Sequence, residues 1–176
     1  MVVKVAVDNN ILGYLGETEE FLKRIITSKK ALINEIERME YSKAFARLVC
    51  SNPKIKGVVP LMVAYEFNKA DKEIKKRVFE KWADCFHWSN NITIYKRARS
   101  LKIPPTLEHI KKSDIRIVFE ATLLGCSYLV TYNRKDLAKE KNQKLIKSEF
   151  KTKLRKSPPK ILTPKEFLSL TYVPKH

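Results

Sequence analysis

Residues 2–7 are apolar except for Lys4, the pattern of a strand buried on both faces of a parallel sheet, and the run stops at Asp8. From about Glu19 to Val49 the chain reads as two helices. The second carries Leu32, Ile36 and Met39 at helical spacing and is ended by Asn52 and Pro53. Val58 and Val59 predict a short second strand after Gly57. Pro60 then passes the chain to a helix from about Leu61 that turns strongly charged beyond Asn68 and continues, amphipathic, to about Phe86. Residues 92–95, between Asn90-Asn91 and the break at Pro104-Pro105, are the candidate third strand.

A helix from Ser113 or Asp114 to Leu124 is apolar almost all round and is therefore buried, with Gly125 placed to close it. Residues 128–131 predict a fourth strand, and Ile161 and Leu162 a fifth. Thr163, Pro164 and Glu166 follow as N-cap, first-turn proline and capping-box glutamate. Strands alternating with helices predict an α/β fold: one parallel or mostly parallel sheet of four to five strands flanked by helices. Such sheets bind ligands beyond the carboxyl ends of their strands.

The chain has 176 residues, 44% of them hydrophobic, which suits one domain able to bury a core without disulfide or structural metal. Charge changes the picture. A formal net charge of +17 predicts a polyanionic partner, nucleic acid first, against the alternative of a merely lysine-rich surface. Residues 139–160, between the fourth and fifth strands, hold nine Lys or Arg against two Glu. Cys50, Cys85 and Cys126 are odd in number and too far apart for a CxxC pattern, which predicts reduced thiols in a reducing compartment. No apolar run approaches the ~20 residues that span a bilayer, and residues 2–7 are too short for a signal-peptide core. The expectation is a soluble, cytoplasmic protein with no membrane partner.

Four carboxylates and an amide stand where chemistry is expected. Asp8 directly follows the first strand, at the mouth of the ligand crevice, or else simply caps the next turn. Glu66 is the only charge between Leu61 and Phe67, so it either meets a cation or looks out to solvent. Asp114 opens the most apolar helix and shares a face with Val118 and Ala121; it either starts that helix or reaches the crevice beside Asp8. Asn133 and Asp136 follow the fourth strand, in turn chemistry or at the same edge. Clustered carboxylates are relieved by a hard divalent cation bound through oxygen, Mg²⁺ or Mn²⁺. The four glycines are too few for a phosphate-cradling loop, and His87, His109 and His176 form no metal spacing. Phosphohydrolases of the haloacid type need a second Asp two residues after the first, where this chain has Asn10.

Val5-Ala6-Val7-Asp8-Asn9-Asn10, the isolated Glu66, Ser113-Asp114 on a helix ending at Gly125, Leu129-Val130-Thr131-Tyr132-Asn133 and Ile161-Leu162-Thr163-Pro164-Lys165-Glu166-Phe167 stand in a telling order. In that order and rough spacing the chain resembles PIN-domain nucleases, a family that includes the toxin ribonucleases of prokaryotic toxin-antitoxin pairs. The resemblance implies one PIN-like domain over residues 1–176 and an acidic Mg²⁺ or Mn²⁺ site that hydrolyses RNA phosphodiesters. Asp8, Glu66 and Asp114 take the places of the acids, Asn10 that of a supporting residue, and Thr131 precedes the last acid. Many members have Asp where this chain has Asn133, so Asn133 or Asp136 completes the metal site. A homodimer and a separate antitoxin protein are implied partners beside RNA. Candidates for holding the RNA backbone are Arg97, Arg99, Arg116 and Arg134, nearest in sequence to the edge, and Lys144, Lys147, Lys151 and Lys153 in the basic tract. The rival expectation is an RNA-binding scaffold that keeps the fold without turnover, which Asn133 favours.

Overall fold

The computed structural model describes residues 2–133, 136, 137 and 139–171. Strands β1 (Val3–Val7), β2 (Ile55–Val59), β3 (Phe86–Trp88), β4 (Tyr128–Val130) and β5 (Lys160–Leu162) form one sheet in the order β3-β2-β1-β4-β5. Every pairing is parallel, with Val5 opposite both Gly57 and Tyr128 in the centre. Parallel neighbours cannot be joined by tight hairpins, so helices make the crossovers. Among the described residues the crossover helices are α1 (Asn9–Gly16), α2 (Glu19–Ile25), α3 (Lys29–Ser51), α4 (Leu61–Phe67), α5 (Lys72–Trp82), α6 (Ile92–Arg99), α7 (Lys112–Leu123) and α8 (Glu140–Leu154), and α9 (Pro164–Thr171) follows the last strand.

The core follows the apolar runs. Val5, Ala6, Val7, Val59, Leu129 and Val130 are fully buried, as expected of strands covered on both faces. Helix α7 buries Ile115, Ile117, Val118, Phe119 and Ala121. It closes at Gly125, whose φ of +73° lies in the left-handed region that glycine enters without steric cost. At the start of α9, Glu166 accepts the Thr163 backbone N–H at 2.7 Å while the Thr163 hydroxyl accepts the Glu166 N–H at 3.3 Å, a complete capping box.

The chain runs from β1 outward through β2 to β3, then returns to lay β4 on the other side of β1. That reversal puts a crevice between the carboxyl ends of β1 and β4. The Asp8 N–H donates to the Val130 carbonyl at 3.1 Å, so the two strand ends are tied where the order reverses.

Several local expectations are corrected. Residues 92–95 are the start of α6 and not a strand: the Asn91 side chain accepts the Ile94 N–H at 3.0 Å and caps a helix whose β-branched first residues mimic strand composition. The third strand is Phe86–Trp88, which begins at the residue where the long helix is expected to end. That helix is two, because Asp71 accepts the N–H groups of Glu73 and Ile74 and begins α5 anew. Helix α1, unread in the sequence, carries Gly16 against α5, where a Cβ would lie 2.5 Å from the Ile74 carbonyl oxygen. Most of the basic tract is α8, which buries Asn142, Ile146 and Phe150.

The cysteine expectation is also corrected for two of the three thiols. Cys50, in the last turn of α3, is joined to Cys85, just before β3, with Cα atoms 4.6 Å apart. Packing α3 against the entry to β3 brings together residues 35 apart in sequence, a pairing that spacing cannot reveal. Cys126 is free and buried. Among the described residues no helix is long and apolar enough to cross a membrane.

Candidate functional site

Asp8 both ends β1 and caps α1, so the two roles open to it in the sequence coincide. Its Oδ1 accepts the Asn9 N–H at 2.7 Å, and its Oδ2 accepts the Asn10 side-chain amide at 2.9 Å and the Thr131 hydroxyl at 2.7 Å. The fully buried Thr131 hydroxyl also accepts the Asn10 side-chain amide at 3.2 Å and the Asn133 N–H at 2.9 Å, and the Asn10 side-chain Oδ1 accepts the Tyr132 N–H at 3.2 Å. Asn10 and Thr131 thus lock Asp8 across the seam between β1 and β4. Burial pushes the Asp8 carboxyl above its ordinary pKa; the Thr131, Asn9 and Asn10 hydrogen bonds and the nearby Lys111 pull the other way.

Asp114 lies in the first turn of α7, 8% exposed. Its Oδ2 accepts the Asn133 side-chain amide at 2.6 Å and its Oδ1 the Ser113 hydroxyl at 3.4 Å. Burial raises its pKa, the negative charge of Asp8 raises it further, and Lys111 and Asn133 oppose both. Glu66, in the last turn of α4, is half-buried, and among the described residues no hydrogen bond or ion pair engages its carboxylate. Burial, then Asp8, then Asp114 hold its pKa up, with Lys111 opposing. The three acids from β1, α4 and α7 therefore feel one another.

Asn133 is oriented by its partners. Its Oδ1 accepts the Asp136 N–H at 3.2 Å, which turns its NH₂ toward Asp114, so the oxygen is engaged away from the acids. Asp136 is half-buried and close enough for its charge to raise Asp114. The carboxylate oxygens do not converge on one point: among the described residues no group of three His, Cys, Asp or Glu side chains is close enough to hold an ion.

The expected cations divide. Arg99 and Arg116 line a groove of about 630 Å³ together with Glu66 and Ser113, and so border the acids. Arg97 is exposed on α6 but does not line that groove, and Arg134 lies outside the described residues. Lys144 is paired with Glu140 at 2.7 Å. With Lys147 it lines a different groove that includes Ser127 and Lys160, at the amino ends of β4 and β5 and so opposite the acids. Lys151 and Lys153 are exposed in the last turn of α8.

Two residues of consequence are absent from the sequence reading. Lys111, the residue before α7, opposes the negative field at Asp8, Glu66 and Asp114 alike. Its place three residues before Asp114 was the available signal. Glu120 is completely buried, and its carboxylate accepts the N–H groups of Leu61 at 2.8 Å and Met62 at 3.0 Å. It caps α4, the helix that carries Glu66 and has no capping side chain of its own. Glu120 is the only charge between Ile117 and Leu124, the same isolation that marks Glu66.

No family model, no curated protein and no solved structure matches the chain.

Proposed function

We propose that the chain is a PIN-type, metal-dependent ribonuclease that hydrolyses RNA phosphodiester bonds at the carboxyl ends of β1 and β4. Its main support is the hydrogen-bonded chain from Asp8 through Thr131 and Asn133 to Asp114 at the switch in strand order, with Glu66 near enough for the charges of both acids to act on it. The donor types suit a hard divalent cation, being all oxygen with like charges that repel, although among the described residues no three of these side chains stand close enough to hold one without moving. Free acceptor capacity remains as well. Of roughly four lone-pair directions on a carboxylate, Asp8 uses three, Asp114 two and Glu66 none.

Asp8, Glu66 and Asp114 would hold Mg²⁺ or Mn²⁺, which when bound lowers the pKa of a water and offsets charge on the leaving oxygen. The protein's own groups do the positioning. Thr131 and Asn10 fix the Asp8 carboxylate, Asn133 fixes that of Asp114, and Glu120 anchors the helix that presents Glu66. Lys111 supplies the positive charge that draws a phosphodiester toward three acids. The net charge of +17 supports RNA as the polyanion.

The test is cleavage of labelled RNAs with Mg²⁺, with Mn²⁺ and in EDTA, alongside Asp8→Asn and Asp114→Asn variants. Cleavage that requires metal and is lost in both folded variants is expected. Robust cleavage in EDTA, or full activity in both variants, overturns the assignment. One observation favours a second reading, an RNA-binding scaffold without turnover: Asn133 brings no charge and turns its amide NH₂ onto Asp114. Tight RNA binding with no cleavage under any metal condition would select it.

A further inference from the structure

Helices α4, α6 and α7 enclose a groove of about 630 Å³ whose lining includes Glu66 and Ser113, the neighbour of Asp114. Its walls carry Lys69, Arg99 and Arg116, and Glu66 is the only carboxylate lining it. Among the described residues none of the three cations lies within ion-pair distance of an acid. The Nε of Arg116 is buried with no hydrogen-bond partner. A buried guanidinium N–H without an acceptor is costly unless something arrives to accept it. The groove thus presents three cations against one carboxylate, Glu66.

It also presents aromatic surface. Tyr65 on α4 is 52% exposed, and its ring lies 5.1 Å from that of Tyr95 on α6, tilted by 40°. The two rings form an open face beside the cations. Cations along a channel and exposed rings within it are the combination that holds single-stranded nucleic acid, with phosphates on the cations and bases stacked on the aromatics. A duplex turns its bases inward and offers no free face to a ring; an unpaired strand does. An acidic peptide would satisfy the cations and leave the tyrosines unused.

We propose that this groove seats the unpaired strand that enters the acid cluster, with a base stacked on Tyr65 and Tyr95 and backbone phosphates on Arg99 and Arg116. The inference rests on the nuclease reading and adds to it a requirement for single-stranded RNA on this side of the acids. Tyr65 and Tyr95 select for an unpaired base, and the arginines set the salt dependence.

The test is fluorescence anisotropy of full-length protein in EDTA, where binding is read without cleavage. The probes are a labelled single-stranded RNA oligonucleotide, the same strand in a duplex, and polyglutamate as competitor. Tyr65→Ala and Tyr95→Ala should each weaken single-strand binding about 5- to 150-fold and leave duplex binding within about twofold. Tyr65→Phe should keep wild-type affinity. Arg99→Gln should reduce the salt slope by about 0.7, the contribution of one phosphate contact on a single strand, whereas Lys147→Gln, on the opposite groove, should not.

Thermal melting identifies folded variants, and if Tyr95→Ala does not fold, the exposed Tyr65 decides alone. Unchanged single-strand affinity in Tyr65→Ala overturns the proposal. So does an equal loss on single strand and duplex, or polyglutamate competing as well as RNA of equal charge. Groove-dependent binding without metal-dependent cleavage overturns the nuclease reading and keeps the strand site. Cleavage with binding indifferent to Tyr65 does the reverse.

Discussion

Replacing Glu120 with alanine should loosen the helix that carries Glu66, although Glu120 itself touches neither the acids nor the groove. Its carboxylate satisfies two backbone N–H groups at the start of α4. A buried N–H left without an acceptor costs about 1–3 kcal/mol. Met62 is buried, so its N–H bears that cost in full, while the half-buried Leu61 can recruit water. The expected loss for Glu120→Ala is roughly 2–4 kcal/mol. Glu120→Gln keeps one acceptor oxygen and the side-chain shape and should lose less, because it also removes a buried charge.

The pH dependence has a defined sign. Burial raises the folded pKa of Glu120 above its ordinary value, against the Met62 and Leu61 hydrogen bonds. Its contribution to stability is therefore greatest below the unfolded pKa, about 4.3, and is lost as pH rises through the folded value. The stability of wild type relative to Glu120→Gln should improve as pH falls from 7 toward 5. Urea unfolding of the three proteins at both pH values measures this. A Glu120→Ala loss under about 0.5 kcal/mol, the usual range of a surface change, would refute the capping account, and so would a wild-type advantage over Gln that shrinks on acidification.

Thr131→Val should cost about 1–3 kcal/mol by leaving Asp8 and Asn133 short of hydrogen bonds in a buried place, and should weaken cation binding; equal stability and equal affinity would remove Thr131 from the site. Reducing the Cys50–Cys85 link, which closes a loop of 35 residues, should lower stability by up to about 4 kcal/mol on the chain-entropy account; an unchanged melting temperature, together with alkylation of three thiols without reductant, would contradict the pairing. Asp8, Glu66 and Asp114 all have raised folded pKa values, so in EDTA their contribution to stability falls as pH rises from about 4. Mn²⁺ should therefore raise the melting temperature more at pH 7 than at pH 5, and an equal shift at both would speak against a cation relieving those charges.

The buried strands are legible because a strand covered on both faces must be apolar throughout, as Val5-Ala6-Val7 and Leu129-Val130 are. The capping box at Thr163 and Glu166 and the closing Gly125 are legible because each answers to a local steric or hydrogen-bonding demand. Residues 86–99 are not, because β-branched Ile92, Thr93 and Ile94 favour a strand until the Asn91 cap is weighed against them. The isolation of Glu66 on an apolar helix is legible, yet Glu120 is isolated in the same way and serves a backbone. Composition shows that a buried charge needs a partner, and only tertiary packing shows whether the partner is an N–H group or a neighbouring acid. The Cys50–Cys85 link, the field of Lys111 and the pairing of Tyr65 with Tyr95 likewise join residues from separate elements.

The account turns on whether Asp8, Glu66 and Asp114 act on one cation. Calorimetric titration of Mn²⁺ into wild type and into Asp8→Asn, Glu66→Gln and Asp114→Asn at pH 7 measures this without any substrate. Wild type should bind, and each substitution should weaken that binding by at least about tenfold, since each removes a charged oxygen donor from a shared hard-cation site. Absence of binding in wild type, or wild-type affinity in any one of the three folded variants, would contradict it.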